Sequence, residues 1–279
     1  MSITFVTAWY QFKSKFDATI YHNWMSNLLH NVEKFNLVIF TDKNSKPLID
    51  SVLSSNGNGN ENQNLRIRVI LKEHTEFHTY SLKQEWIRNH KINNLLNNRT
   101  EWKVNMLWSE KIAFVKETKD RVYFDTEFYG WCDIGYFRCE NRNLPYEQIK
   151  DWPNSEKVSA LQTNKVYYCQ VCPDERLETM FYQVMQKTDF GLPVEPIIPS
   201  QVSIAGGFFI SHKSKLGWWF DTFYSRLKLY FKHEYLVKDD QMIIIDCILN
   251  DFHQFELIEQ QNPYYDRWFG FQTFLLQDA

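Results

Sequence analysis

Asp133 ends an aromatic and aliphatic run, Phe128-Tyr-Gly-Trp131-Cys-Asp133-Ile-Gly135, and a glycine follows it two residues later. A carboxylate ending a buried strand, beside a glycine that permits a sharp turn, is placed to hold a hard divalent cation. Such a cation can bridge the oxygens of a diphosphate and offset the charge of a departing nucleoside diphosphate. Aspartate is equally a turn and cap residue. Asp125-Thr-Glu127 supplies a second pair of acids, so the residues by themselves leave both sets open. Further along, Lys238-Asp239-Asp240-Gln241 puts two acids before a predicted helix. One can cap that helix, while the other faces a cleft as general base or as a ligand for sugar hydroxyls.

Three other patterns bear on chemistry. On a predicted helix over 104–116, positions 104, 107, 108, 111 and 115 share one face and read Val, Leu, Trp, Lys, Val. A lysine inside an apolar stripe either snorkels to water or meets an anion. Ile204-Ala-Gly206-Gly207-Phe208-Phe-Ile210 puts two glycines inside a strand pattern, which marks a bulge, a close approach by a ligand or backbone, or packing of a helix on the sheet. Cys169-Gln-Val-Cys172 fits C-x-x-C, but it lacks the second pair a zinc site needs, and what precedes it does not fit a small redox fold. Burial accounts for it better.

The elements that must position these residues alternate strand and helix. Strands are predicted over 3–7, 35–40 and 65–71, with a helix capped by Asp17 after the first and a short helix over 48–53 after the second. Helices over 77–96 and 104–116 lead to strand-like stretches at 121–124 and 128–132. A helix over 174–187, a strand over 202–211, helices over 218–231 and 241–249, and a short strand over 255–258 complete the pattern. Strands alternating with helices imply an α/β fold with a mostly parallel sheet, whose ligands bind beyond the carboxyl ends of the strands. The stretch 54–64, Ser-Ser-Asn-Gly-Asn-Gly-Asn-Glu-Asn-Gln-Asn, reads as a mobile polar loop.

Composition narrows the function classes. The 279 residues carry 31 basic against 34 acidic side chains, with no Lys/Arg stripe, which argues against a nucleic-acid partner recognised by phosphate neutralisation. Aromatic residues make up 17%, suited to stacking on sugars and bases and to filling cores. No apolar run approaches the ~18 residues of a transmembrane helix, so no membrane span is expected. The amino terminus reads as a strand and not as a signal peptide. Five cysteines, an odd number, predict a reducing compartment and a cytoplasmic location.

Taken in order, the motifs resemble those of the HtrL/YibB-like family of bacterial and viral glycosyltransferases. The matching residues are Thr7-Ala8, Tyr21-x-x-Trp24-x-x-Asn27, Val38-Ile-Phe-Thr-Asp42, Leu107-Trp-x-x-Lys111, Phe128-x-x-Trp131-x-Asp133-x-Gly135, Ala205-Gly-Gly-Phe-Phe209 and Asp240-Gln241. The resemblance runs over most of the chain. It implies a GT-A-like, Rossmann-like fold: one domain with a mixed, mostly parallel sheet flanked by helices. Residues 1–135 would be the nucleotide-sugar-binding half and 136–279 the acceptor-binding half.

It further implies that Thr7, Ala8, Trp9, Asp42, Lys111, Trp131 and Asp133 meet the donor, and that Asp133 holds Mn²⁺ or Mg²⁺. Trp131 stands where the first acid of a D-x-D pair would be. Asp240 would be the cleft carboxylate, with Gly206, Gly207, Phe208, Asp239 and Gln241 on the acceptor side. The expected activity is transfer of a sugar from a nucleoside diphosphate, uridine-based, to a hydroxyl of a glycan. The rival classes are a metal-dependent nucleotidyltransferase or phosphohydrolase, and a non-catalytic, aromatic-rich sugar-binding protein.

Overall fold

The computed structural model describes residues 3–55 and 65–276; the predicted polar loop therefore lies, from residue 56 on, outside the described residues. The first strand, β1 (Ile3–Trp9), is buried at every position, as befits a strand covered on both faces, and runs two residues beyond the predicted stretch. Next come α1 (Ala18–Leu29), β2 (Asn36–Thr41), α2 (Lys46–Ser55) and β3 (Ile67–Leu71). The Asp17 carboxylate accepts the Ile20 backbone N–H at 3.0 Å and starts α1, as its sequence position predicts.

Between β3 and β4 (Phe128–Cys132) lie two short 3₁₀ turns and three helices, α3 (Lys83–Ile92), α4 (Trp102–Ser109) and α5 (Lys111–Asp120). Two of these differ from the expected elements. The helix over 77–96 starts later, because His74–Glu76 and His78–Leu82 wind as 3₁₀. The helix over 104–116 is interrupted at Glu110. That carboxylate is fully buried and accepts the backbone N–H groups of His78 (2.8 Å) and Thr79 (2.7 Å) and the Thr79 hydroxyl (2.6 Å). It satisfies donors of a neighbouring turn instead of continuing an exposed helix face. The strand expected at 121–124 is a turn, with Val122 at φ 49° closing off α5.

The second half holds α6 (Tyr146–Ile149), α7 (Ser155–Ser159), β5 (Val166–Gln170), α8 (Asp174–Met185), β6 (Ile204–His212), α9 (Leu216–Lys232), α10 (Asp240–Asn250), β7 (Phe255–Glu259) and α11 (Gly270–Phe274). Seven strands form one sheet in the order β3-β2-β1-β4-β6-β5-β7. All neighbours are parallel except β6, which is antiparallel to both β4 and β5. This is the mixed, mostly parallel sheet flanked by helices that the alternation predicts. Side chains alternate between two cores, one on each face. Val6, Phe40 and Phe209 join α5, α9 and α10 on one side, while Phe5, Ile39 and Phe208 join α1 and α2 on the other. No helix of the described residues is long and apolar enough to cross a membrane.

The strand order fixes where a ligand fits. The chain leaves β1 toward β2 and β3 on one side and returns to β4 on the other. The crevice therefore opens beyond the carboxyl ends of β1 and β4. Gly130 in β4 keeps this junction close. A Cβ there would stand 2.3 Å from the Phe209 carbonyl oxygen and 3.2 Å from the Phe5 ring. Gly130→Ala should lower stability by about 1–3 kcal/mol or more, because a backbone oxygen cannot turn aside. Urea unfolding measures it; an unchanged midpoint would mean that β4 and β6 lie farther apart than described.

Candidate active site

Two adjoining cavities occupy the crevice. The first, with about 690 Å³ of empty space, has aromatic walls that include Trp9, Tyr21, Trp24, Trp108 and Trp131. The second, about 1080 Å³, has mixed walls: Gly206, Gly207, Asp239, Asp240 and Gln241 together with rings such as Phe16, Tyr136, Trp268 and Phe269. Tyr21, Trp108, Lys111, Asp133, Gly135 and Arg138 line both.

Each wall is set by local sequence. In α1, Tyr21, Trp24 and Asn27 recur at three-residue spacing and so share a face. The Asn27 amide donates to the Phe137 carbonyl at 2.9 Å, and the Tyr21 ring lies 4.8 Å from that of Trp9. Trp24 packs over Gly135, where a Cβ would stand 2.7 Å from the indole. Gly135 is thus a glycine because a tryptophan lies on it, so its reason is close approach more than a sharp turn.

The centre of the site is Lys111, the first residue of α5. Its buried ammonium donates to the Gly206 carbonyl at 2.7 Å and pairs with Asp240 Oδ2 at 3.1 Å and Asp133 Oδ1 at 3.3 Å. The lysine in the apolar stripe therefore meets anions and does not snorkel. Burial alone depresses its pKa, but the two carboxylates outweigh that and leave it above the ordinary lysine value. Asp133 Oδ1 also accepts the Trp131 indole N–H at 2.5 Å.

The paired glycines are explained by the same geometry. β6 bulges there: Gly206 to Phe209 stand opposite Tyr168 alone, between the pairs Tyr167–Ile210 and Cys169–Ala205. A Cβ at position 206 would be 2.8 Å from Gln241 Cγ and 3.3 Å from Asp240 Oδ2, and one at 207 would be 3.0 Å from Asp133 Oδ2. Both glycines admit the carboxylates, and their carbonyls bind Lys111 and the Asp133 N–H (2.9 Å).

Asp240 opens α10 and is buried. Desolvation raises its pKa to about 6 against the pull of Lys111, with Asp239 and Asp133 adding to the rise. Its Oδ2 has the ammonium beside it and no hydrogen-bond partner among the described residues. Asp239 occupies the N-cap position but makes no capping hydrogen bond, contrary to the expectation that one of the two acids caps α10. Its Oδ2 pairs with Lys238 at 2.8 Å, and its Oδ1 is buried without a partner among the described residues. The carboxylate is turned to a lysine and the cavity, away from the helix donors.

Of the other residues singled out, Ala8, Trp9, Trp131 and Gln241 line the cavities. Thr7, Asp42 and Phe208 do not. Thr7 is enclosed within β1. The Asp42 carboxylate accepts the Ser45 N–H at 2.7 Å and its carbonyl the Lys46 N–H at 3.0 Å, so it shapes the turn into α2. Phe208 packs in the core against Tyr136 and Phe271, at 4.7 and 4.5 Å. Asp125 and Glu127 precede β4, at the amino-terminal end of that central strand and opposite the crevice, where Glu127 pairs with Lys213 at 2.6 Å. That location separates the two acidic sets, which the residues alone left open. Cys169 and Cys172 are buried free thiols whose pKa values burial raises. Arg138, Lys15 and Phe269 also face the crevice. Their residue types gave no signal, since an arginine or a phenylalanine outside a motif is unremarkable in sequence.

A divalent cation on Asp133 does not fit this donor set. A hard cation asks for several oxygen ligands. Asp133 Oδ1 is already engaged by an indole N–H and an ammonium, which leaves Oδ2 as its one oxygen to offer, and the next carboxylate, Asp240, lies against that same ammonium. Among the described residues no three acidic, histidine or cysteine side chains gather as a ligand set.

No protein-family model matches the chain, and no curated protein matches it, so the HtrL/YibB resemblance stands on the motifs alone. Solved structures similar in backbone course include two of one enzyme. One is the galactosyltransferase LgtC in complex with donor and acceptor sugar analogs, 11% identical with a TM-score of 0.44, over 88% of this chain and 70% of that one. The other is an active-site mutant of LgtC, 11% identical with a TM-score of 0.43, over 89% of this chain and 70% of that one.

Proposed function

We propose that the protein is a glycosyltransferase that moves a sugar from a nucleoside diphosphate donor, uridine-based, to a hydroxyl of a glycan. The observation that carries this reading is the pair of cavities at the carboxyl ends of β1 and β4, both with aromatic walls and the second also walled by Asp239, Asp240 and Asp266, joined through Lys111 and Asp133. Aromatic rings suit a nucleobase and sugar faces. Carboxylates and backbone carbonyls suit sugar hydroxyls. Every wall residue of the first cavity falls at or before position 138, while the second adds Gly206, Gly207, Asp239 to Gln241, Asp266, Trp268 and Phe269. That distribution supports a donor side from the first half of the chain and an acceptor side from the second.

In this reading Asp240 accepts the hydrogen of the attacking hydroxyl. Where transfer inverts the anomeric centre, Asp240 removes that proton as the hydroxyl oxygen bonds to the anomeric carbon and the diphosphate departs with the electrons of the broken bond. A carboxylate raised to about 6 is mostly ionised at neutral pH and more basic than a surface aspartate, which suits a general base. Lys111 holds Asp240 and Asp133 in place, and the enclosed site strengthens every charge within it.

A thermal-shift panel of nucleoside diphosphates, nucleotide sugars and free sugars tests the reading. Uridine diphosphate at 100-fold its dissociation constant should add about 2.7 kcal/mol to the native state and raise the melting midpoint. A rise with free sugars and none with any nucleotide would instead identify a sugar-binding protein.

A further inference from the structure

Arg138 is one of two cations that line the crevice with no carboxylate partner among the described residues. Its guanidinium stacks in a cage of three rings, 4.2 Å from the centre of Trp24, 5.1 Å from Phe269 and 5.6 Å from Phe16. Its Nε donates weakly to the Gly135 carbonyl at 3.4 Å. Among the described residues no carboxylate pairs with it, although it lines both cavities. A guanidinium in an aromatic cage keeps its planar fork in a fixed orientation, and that fork matches two oxygens of a phosphate. Lys15, also in the second cavity, lies 4.8 Å over the Trp108 ring and has no carboxylate partner among the described residues. Meanwhile the acid expected to carry a metal is engaged by Trp131 and Lys111.

We propose that the donor's diphosphate is received by the Arg138 guanidinium, with Lys15 as a second cation lining the same cavity, and that these cations of the chain take the part a divalent metal would otherwise play. This rests on the glycosyltransferase reading and deepens it. It makes nucleoside diphosphate binding independent of added metal. It also explains the tryptophan at position 131, whose indole N–H ties down Asp133 where a second acid would serve a metal. The terminal nitrogens of Arg138 would donate to non-bridging oxygens of the diphosphate and stabilise the charge that grows on it as the sugar departs.

Calorimetry of uridine diphosphate and of uridine, each in EDTA and in Mn²⁺, tests this with wild type, Arg138→Met and Arg138→Lys. Wild type should bind uridine diphosphate equally well in both buffers. Arg138→Met should weaken that binding about tenfold to a hundredfold, as for loss of hydrogen bonds to a charged group, and leave uridine binding unchanged. Arg138→Lys should recover only part, since it keeps the charge but not the fork. Melting curves verify that the variants fold; if Arg138→Met does not, Lys15→Met is read in the same way, with a smaller loss expected. Binding that requires Mn²⁺, or an Arg138→Met variant with wild-type affinity, overturns the inference and leaves the glycosyltransferase reading intact. Wild type that binds no nucleoside diphosphate in either buffer overturns both.

Discussion

Replacing Lys111 by methionine should destabilise the protein by about 3–5 kcal/mol, the range for breaking a buried ion pair by removing one partner. The lower figure applies, because the Asp133 side chain is 43% exposed and can be hydrated, whereas that of Asp240 is only 4% exposed. Without the ammonium, Asp240 Oδ2 has no other partner, and the carboxyl takes up a proton instead of staying charged in the core. The sign with pH follows. Asp240 already titrates near 6 in the native state, above its value in an unfolded chain, and the substitution pushes it higher. A carboxyl whose native pKa is raised gives stability that is complete below the unfolded pKa and is lost as pH rises through the native one. The deficit of Lys111→Met should therefore be small near pH 4.5 and largest above pH 7. Urea unfolding at both pH values measures it. Equal midpoints for variant and wild type at pH 8 would show that the ammonium does not compensate Asp240.

Asp240→Asn should leave the fold and donor binding nearly intact and lower transfer by a factor of ~100 or more, the size of a lost general base. The amide keeps the shape of the side chain and takes away a charge that is costly to bury, while Lys111 retains Asp133 and the Gly206 carbonyl. The wild-type profile of kcat/KM against pH should fall below about 6, where Asp240 protonates. The variant's residual activity should lack that acid limb. Transfer by Asp240→Asn at near the wild-type rate would remove the assignment, and Asp266, which also lines the second cavity, would be examined next.

The sequence determined the classes of element and the short list of chemically suited residues. The compact, mostly apolar stretches of β1 and β2 mark strands buried on both faces, and the period of the helices marks which side they cover. Asp133 and Asp240 stand at element ends, and Lys111 interrupts an apolar stripe; these are local features, readable without knowing what lies nearby. Local pattern reports burial and period, but it does not report partners. Glu110 splits a predicted helix because donors at positions 78 and 79 reach it, and nothing near it in sequence announces them. Asp239 has the residue type and position of a helix cap, yet its carboxylate turns to Lys238 and the cavity. The Gly206–Gly207 bulge, the Lys111 bond to a carbonyl 95 residues away and the ring cage around Arg138 exist only once β4 and β6 pair antiparallel and α1 lies across residues 135–138. Tertiary structure decides these because charges buried in low dielectric settle on whatever counter-groups the topology brings within about 3 Å, and sequence separation does not enter that energy.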